Sequence, residues 1–221
     1  MKKKPAIYDL LKVMSKLRSP KGCPWDREQD HRSLRWHAVE EVYELLDAIE
    51  AGDDHELEEE LGDLLLQVVF HCQLAQERGV FDFEKVARRI TEKLIRRHPH
   101  VFGQTKVKNV DEVWANWEQI KKAEKHGTKH ARPSALDGVP KHLPALLYVE
   151  KLVKKARKAG VLAEDRAGGR KLTKPALAKE LFVLAQLAQQ QGWSAEALLR
   201  QETARCERDM RRREKSRSVT Q

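Results

Sequence analysis

The segment that most restricts the fold is EELGDLLLQVVF, residues 59–70. In its last seven residues only Gln67 is polar, and this pattern predicts a helix that is buried on nearly all sides. The helix is expected to start at Asp53 and to run to about Arg78, where Gly79 ends it. A helix of this length and apolarity has to pack against other helices, because no alternating strand pattern is present anywhere in the chain.

Helical periodicity with capping residues recurs along the whole sequence. Helices are expected at 5–18, 33–51, 53–78, 82–97, 111–125, 142–159, 174–191 and 195–214. Stretches that combine glycine with proline, such as RSPKGCPWD, predict the loops between them. Only 11 glycines and 8 prolines occur in 221 residues, which agrees with long uninterrupted helices. The predicted fold class is all-α.

The character of the sequence changes after the predicted helix at 111–125. The segment HGTKHARPSALDGVPKHLP is polar and contains three prolines, which is typical of a connection between domains. We therefore predict a helical domain at residues 1–126, a linker at 127–141 and a small helical unit at 142–221.

Charge is distributed unevenly. The formal net charge is +9, yet residues 40–63 are strongly acidic, whereas basic residues concentrate in 85–100, 121–132 and 205–217. A basic chain invites the hypothesis of nucleic-acid binding. The basic tail RCERDMRRREKSR is more typical of a solvated helix end than of a binding arm. We therefore do not expect nucleic acid to be the partner.

Two features predict a cytoplasmic protein without a membrane partner. No apolar run approaches the length of a bilayer span, and the N-terminus continues into an amphipathic pattern instead of an apolar signal core. Cys23, Cys72 and Cys206 lie far apart without CxxC spacing. This spacing suggests neither a zinc cluster nor a disulfide framework, and it agrees with reduced thiols.

Carboxylates occupy matching positions on two consecutive predicted helices. At 100° per residue, Glu41 and Glu44 fall within about 60° of each other, beside an apolar arc. On the next helix Glu60, Asp63 and Gln67 form a narrow polar strip between apolar flanks. The loop between these helices is short, so they must pack antiparallel. The two carboxylate pairs can then face one another.

Four converging carboxylates need a compensating charge. Two unit charges at about 4 Å repel by roughly 4 kcal/mol at an effective dielectric of 20, and burial adds a desolvation cost. Oxygen donors without a nearby thiolate suit a hard cation such as Mg²⁺ or Mn²⁺. Glutamate-rich helices are also common as solvated faces, so the spacing alone leaves both interpretations open.

The complete pattern is more specific than either half, because EExxE at residues 40–44 is followed by ExxD at residues 60–63. With LRSPKGCPWDREQ, EEVYELLDAI, RGVFDFEKVARRITEKLIRRHPHVFG and VWANWEQIKKAE in the same order, it resembles the MazG family of nucleoside triphosphate pyrophosphohydrolases. The resemblance covers nearly all of residues 5–125. It implies an all-α, usually dimeric enzyme whose helical bundle holds Mg²⁺, with Mn²⁺ as a substitute. Such enzymes split an NTP or dNTP between the α- and β-phosphates into a monophosphate and pyrophosphate.

The resemblance also implies roles for the acidic residues. The metal ligands of the family correspond to Glu41, Glu44, Glu60 and Asp63. The catalytic role falls on Glu41 and Glu40. Glu40 lies off the ligand strip, and it can orient the attacking water or be an ordinary surface residue; these alternatives stay open.

Binding a triphosphate also requires cations and a surface for the base. The resemblance places Lys93, Arg96 and Arg97 at the phosphates, where they suit point-charge and bidentate contacts; an ordinary basic helix end is the alternative. His37 corresponds to a nucleotide contact, although a lone histidine is often structural. Trp114 corresponds to a tryptophan near the base, and the second tryptophan of VWANWEQ is its rival.

Residues 131–221 resemble the remains of a second copy of the same domain. The helix that should carry EExxE is missing, with VLAEDRAGGRKLT in its place. Ala176 and Lys179 stand where ExxD is expected. Since a lysine there would repel a divalent cation, we predict that this half binds no metal.

Two hypotheses about function follow. The intact first copy predicts a Mg²⁺-dependent nucleoside triphosphate pyrophosphohydrolase that acts on NTPs or dNTPs as a homodimer. The alternative is a MazG-like protein that has lost catalysis and binds or regulates, with its basic C-terminal tail contacting nucleic acid. There is no P-loop pattern for an ATPase and no Ser/His/Asp set for acyl chemistry.

Overall fold

The computed structural model of the protein describes residues 5–125, 127–128, 131, 133–162 and 172–219. Every regular element in these residues is a helix, which confirms the predicted all-α class. In chain order the helices are α1 (Ala6–Leu17), α2 (Pro24–Glu28), α3 (His37–Ala51), α4 (Asp54–Glu77), α5 (Phe83–Arg97), α6 (Pro99–Phe102), α7 (Val110–Lys125), α8 (Ala145–Lys158), α9 (Lys174–Gln190) and α10 (Ala195–Val219). Among the described helices, none combines the length and apolarity that crossing a bilayer requires.

The chain divides into two compact units, residues 1–117 and 118–221. Helices α1 to α6 belong to the first unit and α8 to α10 to the second, while α7 contains the boundary. The linker predicted at 127–141 lies within the second unit. The predicted division into domains stays a prediction.

Helices α3 and α4 form an antiparallel hairpin, as predicted, because the chain reverses within two residues. Gly52 adopts a left-handed conformation with φ of 68°, which favours glycine, and its N–H donates to the Ala48 carbonyl at 3.1 Å. Asp53 then caps α4, since its carboxylate accepts the N–H groups of His55 and Glu56 at 2.9 and 3.3 Å. This hairpin sets the carboxylates of the two helices opposite each other.

The core of the first unit lies between α1, the turn before α3 and the C-terminal half of α4. Its buried residues are Met14, Leu34, Val69, Phe70 and Leu74. A bidentate ion pair closes one end of this core: Arg18 donates from Nε and Nη2 to the Glu77 carboxylate at 2.8 and 2.7 Å. The α3–α4 hairpin is therefore anchored through the C-terminal half of α4.

The N-terminal half of α4 is less buried than the sequence predicts. Leu61, Leu65 and Val68 are 50%, 39% and 40% exposed, so the prediction of a helix buried on nearly all sides is wrong for the single chain. The reason is that α3 covers one side of this half only. Val42 and Ile49 on α3 are exposed as well, and an apolar surface therefore runs along both helices.

Helix boundaries depart from the predicted ones where side chains cap turns. Helix α3 begins at His37 and not near residue 33, because the Asp30 carboxylate accepts the N–H groups of Arg32 and Ser33 at 2.7 Å each and holds a separate turn there. The short helix α2 begins inside the predicted loop RSPKGCPWD, at Pro24, and runs two residues beyond it. Helix α5 ends at Arg97, before the proline, as predicted.

The second unit has its own core, formed by α8, α10 and the loop before α8. Leu136, Leu152 and Met210 are buried in it. The Tyr148 hydroxyl donates to Glu207 at 2.7 Å, and burial together with this carboxylate raises the pKa of Tyr148 to about 12. The segment VLAEDRAGGRKLT lies mostly outside the described residues.

Candidate metal centre

Three of the four predicted ligands meet between α3 and α4. Glu41, Glu60 and Asp63 each offer a carboxylate oxygen, and these three oxygens all lie within 4.8 Å of one another. Each of the three residues is half-buried. Glu44, one turn after Glu41, is exposed and is not part of this group. The local reason for the convergence is the antiparallel hairpin, which sets residue 41 opposite the 60–63 turn.

The cluster is electrostatically strained as it stands. Desolvation, followed by the charges of Glu44, Asp63 and Glu41, raises the pKa of Glu60. Desolvation and the charge of Glu41 likewise raise the pKa of Glu44. Raised carboxyl pKa values mean that the site favours a proton or a cation over four bare charges.

Two buried oxygen atoms at the site between α3 and α4 accept no hydrogen bond from the described residues. They are Oε2 of Glu60 and Oε1 of Gln67. A buried acceptor without a donor carries a desolvation penalty of about 1–3 kcal/mol, and a cation with its bound water would remove it. The donor set consists of carboxylate oxygens, which suits a hard divalent cation. The residues present therefore fit such an ion.

Gln67 is a member of the site that the ligand prediction left out. It is buried, and its Nε2 donates to Oε1 of Glu41 at 3.1 Å across the hairpin. Its position in the polar strip with Glu60 and Asp63 was visible in the sequence. Charge is the signal by which the sequence predicts metal ligands, and a neutral amide does not carry it.

The predicted catalytic residue Glu40 points into solvent, with its side chain 66% exposed. His37 lies at the start of α3, and its Nδ1 is 3.7 Å from Oε2 of Glu40. The ring of Trp25 meets the His37 imidazole edge-on at 6.0 Å. These three side chains form an exposed group beside the start of the carboxylate hairpin.

The predicted phosphate-binding residues lie on the last turns of α5, a helix that packs against α4. Lys93 and Arg97 are half-buried there and Arg96 is exposed. On α7, Trp114 is 55% exposed and meets Trp117 edge-to-face at 5.6 Å. Since Trp117 is more buried, Trp114 offers the freer ring face. The roles of these residues stay predictions.

The second unit differs in its chemistry. Ala176 and Lys179 lie in the first turns of α9 and are exposed. In the part of the chain that the structure describes, the only group of three or more converging candidate ligands is the one on α3 and α4. Four arginines of the basic C-terminal helix are engaged in ion pairs along it, namely Arg200–Glu196, Arg205–Glu202, Arg211–Glu207 and Arg212–Asp209. This pairing reduces the positive field that nucleic acid would need.

Comparison with known proteins identifies relatives of this chain. Residues 29–102 match the model of the MazG nucleotide pyrophosphohydrolase domain. The nucleoside triphosphate pyrophosphohydrolase of Escherichia coli (strain K12) is 48% identical over 155 residues, which are 70% of this chain and 58% of that protein. The nucleoside triphosphate pyrophosphohydrolase/pyrophosphatase MazG of Thermotoga maritima is 45% identical over 160 residues, 72% of this chain and 60% of that protein.

Among solved structures, the crystal structure of a MazG-related protein from Thermotoga maritima matches at 29% identity with a TM-score of 0.45, covering 52% of this chain and 98% of that one. The chain spans less than two thirds of the length of both curated relatives. Residues 29–102, which match the family model, contain the whole α3–α4 hairpin with its carboxylates. The chain therefore carries a MazG domain over residues 29–102 and belongs to the MazG family.

Proposed function

We propose that the protein hydrolyses nucleoside triphosphates, NTPs or dNTPs, between the α- and β-phosphates to give a monophosphate and pyrophosphate. The observation that carries the proposal is the converging group of Glu41, Glu60 and Asp63 within 4.8 Å. It lies inside the matched MazG domain, in a chain similar to relatives named nucleoside triphosphate pyrophosphohydrolases. Half-buried carboxylates at this spacing repel one another, which destabilises a fold that makes no use of them.

Mg²⁺, with Mn²⁺ as a substitute, is the proposed ion. Glu41, Glu60 and Asp63 would hold it, and Glu44, whose carboxylate already interacts with that of Glu41, would join them. When bound, the cation neutralises charge on phosphate oxygens and lowers the pKa of a coordinated water. Glu40, exposed one residue before Glu41, is proposed to orient the attacking water.

The remaining predicted residues are proposed to bind the substrate. Lys93, Arg96 and Arg97 counter the charge of the triphosphate from the end of α5. The exposed ring of Trp114 stacks on the base, and His37, half-exposed beside Glu40, donates to the nucleotide. All of these groups act by positioning the triphosphate and stabilising its charge, which is how proteins accelerate reactions at phosphorus.

A homodimer in the cytoplasm is part of the proposal. Val42, Leu46 and Ile49 on α3 and Leu61, Leu65 and Val68 on α4 are all exposed in the single chain. A contiguous apolar surface of this kind is typical of a protein interface, and a second copy would bury it. All three cysteines are free thiols in the structure, which agrees with a reducing compartment.

The test is pyrophosphate release from a panel of NTPs and dNTPs with Mg²⁺ or Mn²⁺. We expect turnover by the wild type and a loss of at least a hundredfold in the double variant Glu41→Gln, Glu60→Gln. The matched control is Glu50→Gln, Glu58→Gln, which removes the same charge from exposed positions of the same two helices and should retain activity. Wild-type turnover no higher than that of the first double variant would refute the proposal and favour a non-catalytic binding role.

A further inference from the structure

The structure assigns a function to Gln67 that rests on the proposed metal centre. We propose that Gln67 is a positioning residue for the cation: its amide nitrogen orients the Glu41 carboxylate, and its amide oxygen accepts a hydrogen bond from the water bound to the ion. Three observations support this: its burial, the direction of its one hydrogen bond, and its unpaired oxygen.

Burial makes the amide of Gln67 significant. The residue is only 7% exposed and is one of two buried polar residues in the described part of the chain. A buried amide costs free energy unless both of its ends are hydrogen-bonded. An apolar residue would fit α4 better at this position, since Val69 and Phe70 beside it are buried in the core. The amide is therefore better explained by the polar site than by the core.

The chemistry of Glu41 determines which way the amide faces. An ionised carboxylate only accepts hydrogen bonds, so the NH₂ group of Gln67 must face it, as the distance of 3.1 Å from Nε2 to Oε1 shows. This bond crosses from α4 to α3. It takes up one oxygen of Glu41 and restricts the rotation of the carboxylate, whose oxygen lies within 4.8 Å of those of Glu60 and Asp63.

The same orientation leaves the amide oxygen inside the site without a donor. Oε1 of Gln67 and Oε2 of Glu60 are both buried and receive no hydrogen bond from the described residues. Acidic neighbours cannot supply a proton donor while they are ionised. Water bound to a divalent cation is such a donor, because its oxygen faces the ion and its hydrogens point outward. A partner that orients a ligand typically changes metal affinity by about 10- to 100-fold.

The experiment compares metal binding in four proteins: wild type, Gln67→Met, Gln67→Asn and Gln73→Met. Methionine is close in size to glutamine but has no strong hydrogen-bonding group, while asparagine keeps the amide but is too short to reach Glu41. Gln73 is the matched control, because its Nε2 also donates to a carboxylate at 3.1 Å, that of Glu77 on the same helix and outside the cluster. Mn²⁺ affinity is measured by electron paramagnetic resonance of the free ion, and the Mg²⁺-induced rise in Tm by calorimetry.

We expect Gln67→Met and Gln67→Asn to weaken Mn²⁺ binding about tenfold or more and to reduce the Mg²⁺-induced rise in Tm, while Gln73→Met leaves both unchanged. Wild-type affinity in a folded Gln67 variant would overturn the inference, and so would a lower metal-free Tm with an intact Mg²⁺ response, since that is the result of a packing role. If Gln67→Met fails to fold, Gln67→Asn decides. Failure of the proposed metal centre is distinguishable, because the wild type itself would then bind no Mn²⁺, and failure of the proposed hydrolysis is distinguishable, because it appears in the pyrophosphate assay of the wild type.

Discussion

At the scale of single residues, Glu60 contributes opposite effects to folding and to function. Its pKa is raised by desolvation and by four neighbouring carboxylates. A raised folded-state pKa means that this group stabilises the fold fully only below the ordinary glutamate pKa, and that the contribution is lost as pH rises through the raised value. At neutral pH the metal-free protein therefore contains unrelieved repulsion at Glu60.

Replacing Glu60 by glutamine removes that repulsion. In EDTA at pH 7 we expect Glu60→Gln to have a higher Tm than the wild type, and in Mg²⁺ we expect the order to reverse, because only the wild type gains from the ion. Differential scanning calorimetry with and without Mg²⁺ measures both. Glu58→Gln, on the exposed face of the same helix, should change neither value. A lower Tm for Glu60→Gln in EDTA would contradict the prediction.

At the scale of elements, one arginine connects the N-terminal helix to the α3–α4 hairpin. Arg18, at the C-terminus of α1, has a side chain only 9% exposed. Besides its bidentate pair with Glu77, it donates to the carbonyls of Asp26 and Gln29, and it lies over the ring of Phe70 at 5.6 Å. Helix α1, the loop after α2 and the end of α4 therefore depend on one guanidinium.

We expect Arg18→Ala to lower the free energy of unfolding by about 2–3 kcal/mol, since several charge-assisted hydrogen bonds of this nearly buried side chain are lost. Urea unfolding followed by tryptophan fluorescence measures the loss, mainly in the first unit, which contains Trp25, Trp36 and Trp114. The comparison variant is Arg88→Ala, whose exposed pair with Glu84 is expected to contribute less than about 0.5 kcal/mol. Similar effects of the two substitutions would disprove the assigned role.

A second contact between elements is sensitive to pH. Nδ1 of His31, in the turn before α3, lies 2.8 Å from Nδ1 of His71 on α4. Arg78 lies 2.8 Å from the other nitrogen of His31 and can only donate, so the His31 Nδ1–H must donate to a neutral His71. Burial, and then the charge of His31, lowers the pKa of His71.

A lowered folded-state pKa makes stability fall as pH falls. We expect full stability above the ordinary histidine pKa of about 6.5 and a progressive loss as pH drops below it through the lowered value of His71. Measured as Tm between pH 8 and 5, this loss should become smaller in His71→Gln, which keeps an acceptor for His31 but does not titrate. His55→Gln, exposed near the start of α4, is the control. An unchanged dependence of Tm on pH in His71→Gln would show that protonation of His71 does not cause the loss of stability.

At the scale of the whole molecule, the exposed apolar surface of α3 and α4 predicts the assembly state. We expect light scattering to give twice the chain mass for the wild type and 25.5 kDa for Leu65→Glu, because a buried unpaired carboxylate is costly. Val13→Glu introduces the same charge at another exposed apolar position, on α1, and should remain dimeric. A monomeric wild type, or a dimeric Leu65→Glu variant, would exclude this surface as the interface.

The all-α class and most helices follow from the sequence, because periodicity and caps such as Asp53 act locally. The convergence of Glu41, Glu60 and Asp63 was also predictable, since Gly52 and Asp53 leave room for nothing but an antiparallel hairpin. Helix starts were less predictable. Helix α3 begins at His37 and not near residue 33, because the Asp30 side chain accepts hydrogen bonds from backbone N–H groups before it. Hydrophobic periodicity contains no information about such side-chain competition.

The sequence alone determined which carboxylates converge, because positions 41, 60 and 63 fall on matching helix faces whatever surrounds them. Only the tertiary structure decided their surroundings. It buried Gln67 and directed its amide to Glu41, it joined His31 to His71, and it left Leu65 exposed. The physical reason is that spacing sets direction around one helix, whereas burial and partners depend on which elements, or which second chain, cover that face.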